Sequence, residues 1–381
     1  MTIDVADLPP PSGPVDAVRR GQASQWRLMW WQFRRHRMAM AGAVVLFLIF
    51  LVAAFCEFIA PFSPIAFTPR YTYAPPQRLH LLDRDEAGGL VFRPYVNGYK
   101  VTIDKAALRR VFVVDETVKY PVGFFVASEP YTMWGLFTLQ TKLFGPLDRH
   151  DPMFLLGADR LGRDLFSRIV YGTRISMSIG LIGVTLSLLL GVVLGGISGY
   201  YGGMTDHVIQ RVIEFILSLP TTPLWLGLAA AMPSTWPPLR VYLCITIILS
   251  LIGWTSLARV VRGRFLSLRN EDFVVAARLD SASEPRIIFR HIAPSFVSHI
   301  IAEVSLAIPG MILAETALSF LGLGLQPPIV SWGVLLQEAQ NIRAIATAPW
   351  LFAPGIAGIV AGRALNFVGD GLRDAADPYR Q

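Results

Sequence analysis

Side chains able to carry chemistry are sparse in this 381-residue sequence and fall into no catalytic pattern. There is no His-Glu-x-x-His zinc helix and no Gly-x-Ser-x-Gly elbow. The four lysines, Lys100, Lys105, Lys119 and Lys142, never follow a glycine, which excludes a phosphate-cradling loop ending in Gly-Lys. The chain therefore does not hydrolyse ATP itself. Cys56 and Cys244 lie in apolar runs, without metal-ligand spacing or a disulfide framework, and read as small buried hydrophobes. His291 and His299 are too far apart for one metal site on a helix turn and read as interfacial polar groups. What remains is a handful of ionisable groups in apolar surroundings: Glu214, Glu303, Glu315 and Arg363. Such groups are costly in hydrocarbon and normally face a cavity or a partner. Glu303 and Arg363 are candidates for lining a route or pairing across it. Glu214 and Glu315, near the ends of their runs, read first as structural, and Glu315 and Ser319 complete the set of candidate path residues.

The elements that hold these groups are apolar runs. Hydrophobic residues make up 53% of the chain and charged residues 16%, too little polar material to clothe a water-soluble body of this size. A hydrocarbon core about 30 Å thick needs roughly 20 apolar residues at 1.5 Å rise each. Six stretches qualify: 38–60, 173–199, 207–232, 240–262, 296–324 and 349–368. The third and fifth contain Pro220, Pro223 and Pro309 in mid-span, which neighbouring helices can accommodate. The +7 net charge does not point to nucleic acid, because the arginines scatter in short clusters beside apolar runs. Arg27, Arg34, Arg35 and Arg37 precede the first run, and seven arginines fill the 259–291 loop, so both segments are expected on the cytoplasmic side. Both termini are then cytoplasmic, and 61–172, 233–239 and 325–348 face outward. Residues 1–25 lack an apolar core, so they are expected as a disordered cytoplasmic tail rather than a cleaved signal. Gly191 and Gly195 have the small-xxx-small spacing of a packed helix pair, while Gly202 and Gly203 suit a turn.

The outer segment alternates apolar and polar residues at Val91, Phe92 and Tyr95, then Tyr99, Val101 and Ile103, around Asn97-Gly98. That dipeptide suits a type I′ hairpin turn, and a second strand-like run spans Val111 to Phe125. A small mixed α/β insert is expected, with aromatic anchors such as Tyr95, Tyr99 and Trp134 suited to a protein interface.

The loop 263–295 contains Glu271-Asp-Phe-Val-Val275-Ala276-Ala277-Arg278-Leu-Asp-Ser281-Ala-Ser-Glu-Pro-Arg286-Ile-Ile-Phe-Arg290-His291-Ile-Ala-Pro294. Two short helices at an angle are expected, with Ser283 as N-cap, Pro285 in the following turn and Pro294 as terminator. This segment resembles the coupling loop of binding-protein-dependent importers, whose pattern is Glu-Ala-Ala followed by a glycine. Here Val275 stands for the glutamate and Ser281 for the glycine, so the bend must form without glycine. Leu156-Gly-Ala-Asp159-Arg-Leu-Gly162-Arg163-Asp164-Leu-Phe-Ser167-Arg168-Ile-Val-Tyr171-Gly172-Thr-Arg174 looks like the family's entry to its second span. Glu315-Thr-Ala-Leu318 through Gly324, Ser331-Trp332-Gly333 and the tail Asn366 to Pro378 are similar to its fifth span, outer loop and C-terminus.

Taken together, these motifs resemble the second permease subunit of the dipeptide/oligopeptide/nickel family of ABC importers, an oligopeptide permease C-like chain. The resemblance implies an all-α polytopic membrane protein with six transmembrane helices of the type I ABC importer permease fold and a small mixed α/β extracytoplasmic insert between helices 1 and 2. It divides the chain into a tail (1–25), a basic entry with the first span (26–60), the insert (61–165) and a five-helix core (166–381) containing the coupling loop. It implies a bacterial inner-membrane location and no cofactor in this chain, ATP and Mg being bound by partners. Those partners are a second homologous permease, two ATP-binding subunits, an extracytoplasmic solute-binding protein and the lipid bilayer. The implied cargo is peptides or similar small solutes, with nickel complexes, opines or oligosaccharides as alternatives. An ion-coupled secondary transporter is the competing class, but no inverted repeat is visible and midplane acids are few. The resemblance also assigns ATPase coupling to Val275, Ala276, Ala277, Arg278, Ser281, Arg286 and Arg290. Ala276 and Ala277 are expected to dock against an ATPase, so Ala277→Trp or Ala277→Asp should weaken docking and spare the membrane domain.

Overall fold

The apolar runs form long helices because lipid offers the backbone no hydrogen-bond partners, so each N–H and C=O is satisfied within its own segment. A computed structural model describes residues 25–84, 89–104, 109–233, 235–292, 296–341 and 346–376. The tail 1–24, Pro294, Asp377 and Pro378 lie outside the described residues. Helix α1 (Gln25–Arg35) leads into α2 (Arg37–Ala54), whose N-terminus is capped by His36 Nδ1 accepting from Ala39 N–H at 3.0 Å. A further turn, Cys56–Ile59, carries the chain to the insert.

The insert is an antiparallel meander of β1 (Leu79–Arg84), β2 (Leu90–Asp104), β3 (Arg109–Met133) and β4 (Phe137–Pro146), in the order β1-β2-β3-β4. The only helical turn described between Ile59 and Leu165 is the 3-10 turn Pro69–Tyr71, so the expected mixed α/β insert is instead a β unit. Asn97-Gly98 is also not a turn. It lies inside β2, where Asn97 pairs with Lys119 and Gly98 with Asp115, leaving 116–118 of β3 to bulge. Glycine is needed there for space: a Cβ at Gly98 would stand 2.9 Å from Val118 Cγ1. Gln77 Nε2 donates to the Asn97 carbonyl at 2.8 Å, so that group is not left unpaired.

Helix α3 (Leu165–Tyr201) follows, then α4 (Gly203–Ser218), α5 (Thr221–Ala230) and α6 (Pro238–Leu268). The third expected span is a broken one: α4 and α5 meet at 85°. Leu219 takes extended backbone, as the residue before a proline tends to, and Pro220 becomes the N-cap of α5 rather than a tolerated mid-span residue. After the short helix α7 (Asp272–Leu279) come a turn, Glu284–Arg286, and a π-helical stretch, Ile287–Ile292. Helix α8 (Val297–Phe320) runs through Pro309, and α9 (Trp332–Gln337) and α10 (Ala353–Ala376) complete the chain. Among the described residues five helices are long and apolar enough to cross a membrane, and the α4–α5 pair supplies a sixth crossing if it counts as one span.

Helices α3 and α6 cross closely along Gly191, Gly195 and Gly199. A Cβ at Gly199 would lie 2.7 Å from the Arg262 carbonyl oxygen. The chain then turns at Gly202 (φ +66°) and Gly203 (φ +56°), left-handed positions that glycine occupies without penalty. Ile179, Val184, Ile245, Leu249 and Leu318 form the central core between α3, α6 and α8. Helix α9 is not a free outer loop. Trp332 is buried against Met177, Ile312 and Ala361, and its backbone N–H donates to Ser176 Oγ at 3.1 Å.

Candidate functional site

The candidate coupling segment is built on α7, whose two faces have different fates. Val274 and Ala277 are buried with Val261, Phe265, Ile287 and Ile292, at the foot of α3 and α6. Asp272, Val275, Ala276 and Leu279, at i, i+3, i+4 and i+7, face away from that core, and Leu279 is 81% exposed. Phe273 widens the bare apolar surface. Helix α7 ends in a Schellman arrangement: Ala282 N–H donates to the Ala277 carbonyl at 3.1 Å and Ser281 N–H to the Arg278 carbonyl at 3.0 Å. Ser281 sits at φ +57°, so it occupies the left-handed position where the family pattern has glycine. The Ala277 and Ala282 side chains meet in the same apolar cluster, the contact that usually accompanies this motif. Arg278 lies over the Tyr200 ring at 5.4 Å, and Tyr201 OH donates to Glu284 Oε2 at 2.7 Å, tying the loop to the end of α3. Ser283 is at the N-cap position of the second helix with Pro285 in its first turn, although its side chain makes no capping hydrogen bond.

This geometry corrects one expectation. Ala277 is buried and supports the loop from inside rather than standing on its surface, whereas Ala276, expected beside it, is exposed together with Val275. Arg278, Arg286 and Arg290 are all exposed around the loop.

The candidate path residues separate. Glu315 is fully buried and accepts from Ser319 Oγ and Ser331 Oγ, each at 2.8 Å. Ser319 Oγ in turn accepts from Leu325 N–H (2.9 Å), and Ser331 Oγ from Val334 N–H (3.2 Å) at the cap of α9. Glu315 and Ser319 thus fasten the end of α8 to the following loop and α9. Glu303 and Arg363 are exposed on α8 and α10, and no ion pair joins them among the described residues.

Sequence reasoning missed the strongest polar assembly. Asp159, fully buried, accepts from Leu161 N–H (2.8 Å), Arg163 N–H (3.0 Å) and Arg163 Nε (2.6 Å), and it pairs with the buried Arg168. Glu338 closes the cluster, with Arg163 Nη2 at 2.8 Å and Arg168 Nη1 at 3.0 Å. The clue was an arginine in an apolar helix turn with an acid nine residues earlier; the distant Glu338 left no local trace. Asp164 caps α3 by accepting from Ser167 N–H at 2.7 Å, while its other oxygen is buried without a partner, and burial pushes its carboxyl up to about 6. Nearby, Arg174 pairs with Glu57 and also donates to the Ala53 and Ala54 carbonyls at 2.8 Å, satisfying the end of α2. Lys142 Nζ donates to the Glu57 carbonyl at 2.6 Å, joining the insert to that end. Two of the aromatic anchors assigned to a partner are engaged at home: Tyr99 OH donates to the Pro75 carbonyl (2.6 Å), and Trp134 Nε1 to the Ala54 carbonyl (2.7 Å).

Residues 191–380 match the model of the binding-protein-dependent transport system inner membrane component, and residues 24–76 match the N-terminal TM domain of oligopeptide transport permease C. The oligopeptide transport system permease protein OppC of Bacillus subtilis is 37% identical over 58% of this chain and 70% of its own length. The dipeptide permease DppC of Alkalihalophilus pseudofirmus is 38% identical over 62% and 74%. The glutathione transport system permease protein GsiD of Pectobacterium atrosepticum is 37% identical over 65% and 79%. A chain of the inward-facing MetNI methionine ABC transporter aligns with a TM-score of 0.43 at 13% identity, over 56% of this chain and 98% of that one, too loosely to bear weight. The chain belongs to the binding-protein-dependent transport family: it is a non-catalytic, multi-pass inner-membrane permease subunit of an ABC transporter. Within that class it is an oligopeptide/dipeptide permease C-like subunit.

Proposed function

We propose that this chain forms one half of the translocation path of an importer for peptides or similar small solutes, and that α7 is its mechanical link to an ATP-hydrolysing subunit. The observation that carries the proposal is the division of α7. One face is fixed in the chain's own core, and the other offers Val275, Ala276 and Leu279 as an apolar strip with no cover. A short helix held in this way can transmit displacement to α3 and α6 when a partner pulls on its bare face. Arg286 and Arg290, exposed on the same loop, suit acidic groups or carbonyls on that partner. The working complex then has a second permease, two ATP-binding subunits that hold ATP and Mg, and an extracytoplasmic binding protein that delivers the solute. The basic flank of α1 and the arginine-rich loop around α7 favour the cytoplasmic side for both, with both termini inside. The unit 61–165 then faces outward, toward the binding protein. Glu303 and Arg363, exposed on the single chain, are the remaining candidates for the path or for the permease–permease contact. Peptide cargo is favoured by the names of the relatives, among them a glutathione permease, glutathione being itself a tripeptide.

Uptake by transport-deficient cells carrying the complete system tests the cargo. Accumulation of di- or tripeptides but not of nickel complexes, opines or oligosaccharides is expected. Uptake confined to a non-peptide class would overturn the assignment.

A further inference from the structure

The second and third hairpins of the insert, β2–β3 and β3–β4, have opposite chemistry at their ends. The β2–β3 connection is charged, with Asp104, Lys105, Arg109 and Arg110. The β3–β4 end, from Pro130 to Thr141, carries no charge at all, and its turn presents Leu136 at 76% exposure with Phe137 and Leu139 exposed beside it. A water-facing turn of this composition would be a liability, since contiguous exposed apolar surface marks a contact.

Its position identifies the contact. Trp134, at the same turn, donates from Nε1 to the carbonyl of Ala54, the last residue of α2, and its ring meets that of Phe55 at 5.8 Å. Phe55 continues an exposed apolar stripe on α2 through Phe47 and Leu51, at i, i+4 and i+8. Helix α2 has 18 residues and is about 27 Å long, close to the hydrocarbon thickness, so Ala54 stands at the level where a bilayer gives way to headgroups. The hairpin tip therefore reaches the depth at which tryptophan accumulates in membrane proteins, over the lipid-facing stripe of the first span.

We infer that the Trp134–Phe137 turn is a membrane anchor, inserted into the outer leaflet beside the end of α2. The insert is then held at two points of its last hairpin: by the turn in lipid, and partway along β4 by Lys142 on the Glu57 carbonyl. The continuity of the tip with the apolar stripe of α2 selects lipid over a protein partner.

The test uses the assembled transporter in nanodiscs, with Leu136→Cys or Phe137→Cys in a Cys56→Ala, Cys244→Ala background, labelled with NBD. Glu116→Cys, on the polar bulge of β3, is the reference. Both tip positions should emit to the blue of the reference, lose about half of their emission when the lipids carry bromine on the acyl chains, and resist aqueous iodide. Quenching by iodide without quenching by brominated lipid would put the tip in water and overturn the anchor. Protection from both quenchers would mean that a protein covers the tip, and would overturn it equally.

Discussion

Helix α3 carries a different kind of joint at each end. At its C-terminal end, Tyr200 packs with Val261, Phe265, Val274 and Ala277, and the polar ties around that apolar contact, Tyr201 to Glu284 and Arg262 to Asp206, are partly or fully open to solvent. At its N-terminal end, the connection from the insert is fastened by Asp159, Arg163, Arg168 and Glu338, charges that are buried or nearly so. The 37 residues between them span about 55 Å. Exposed polar ties are screened and contribute little, whereas withdrawing one partner from a buried ion cluster leaves an uncompensated charge. On the coupling role proposed for α7, the contrast suits a subunit that yields at that end and holds its shape at the other.

The largest expected effect comes from breaking the charged joint. Arg168→Leu leaves Asp159 and Glu338 buried with only Arg163 between them, and should cost about 3–5 kcal/mol, read as a large fall in the thermal midpoint of the purified subunit. A midpoint within a degree or two of wild type would mean that the cluster is not a lock. Next in size, Ala277→Trp should cost about 1–3 kcal/mol by overfilling the core beneath α7. Equal stability of Ala277→Trp and the wild type would place this residue on the outer face after all.

Asp164 sharpens the contrast through pH. Its carboxyl is raised to about 6, so between the ordinary carboxylate pKa and that value the folded state holds more protons than the unfolded one, and stability falls as pH rises through this window. Asp164→Asn keeps the cap and removes the buried charge, so its advantage over wild type should grow from pH 4 to pH 7, whereas Asp164→Ala should lose about 1 kcal/mol of capping. An advantage that shrinks with rising pH would contradict the sign. The smallest effect belongs to Ser281→Gly, which relieves a left-handed serine and should add about 1 kcal/mol. A loss of stability there would mean that the Ser281 hydroxyl has a role of its own.

Much of this was legible in the sequence because lipid forces long apolar runs into helices, and five of the six runs do coincide with helices. The bent third run was not legible, since a proline in an apolar stretch is compatible with either a kinked or a broken span, and packing decides. Asn97-Gly98 misled for a related reason. The dipeptide permits a tight turn but does not demand one, and here glycine answers to the space under Val118. A short helix in the loop around residue 275 was expected from the motif, yet which of two adjacent alanines faced inward depended on the phase of that eight-residue helix against Phe265 and Ile287. The ion cluster was half visible in Asp159, Arg163 and Arg168, but Glu338 joins it only through the tertiary fold.

The central claim is that α7 meets its ATPase through the Val275–Ala276–Leu279 face and not through Ala277. Co-purification of the ATPase subunits with tagged permease measures this directly for Leu279→Asp and Val275→Asp, both surface changes that should alter the permease's own stability by no more than about 0.5 kcal/mol. The expected result is an intact pair of permeases that has lost its ATPase subunits, and with them substrate-stimulated ATP hydrolysis. Wild-type recovery of the ATPases and wild-type hydrolysis in both variants would contradict it.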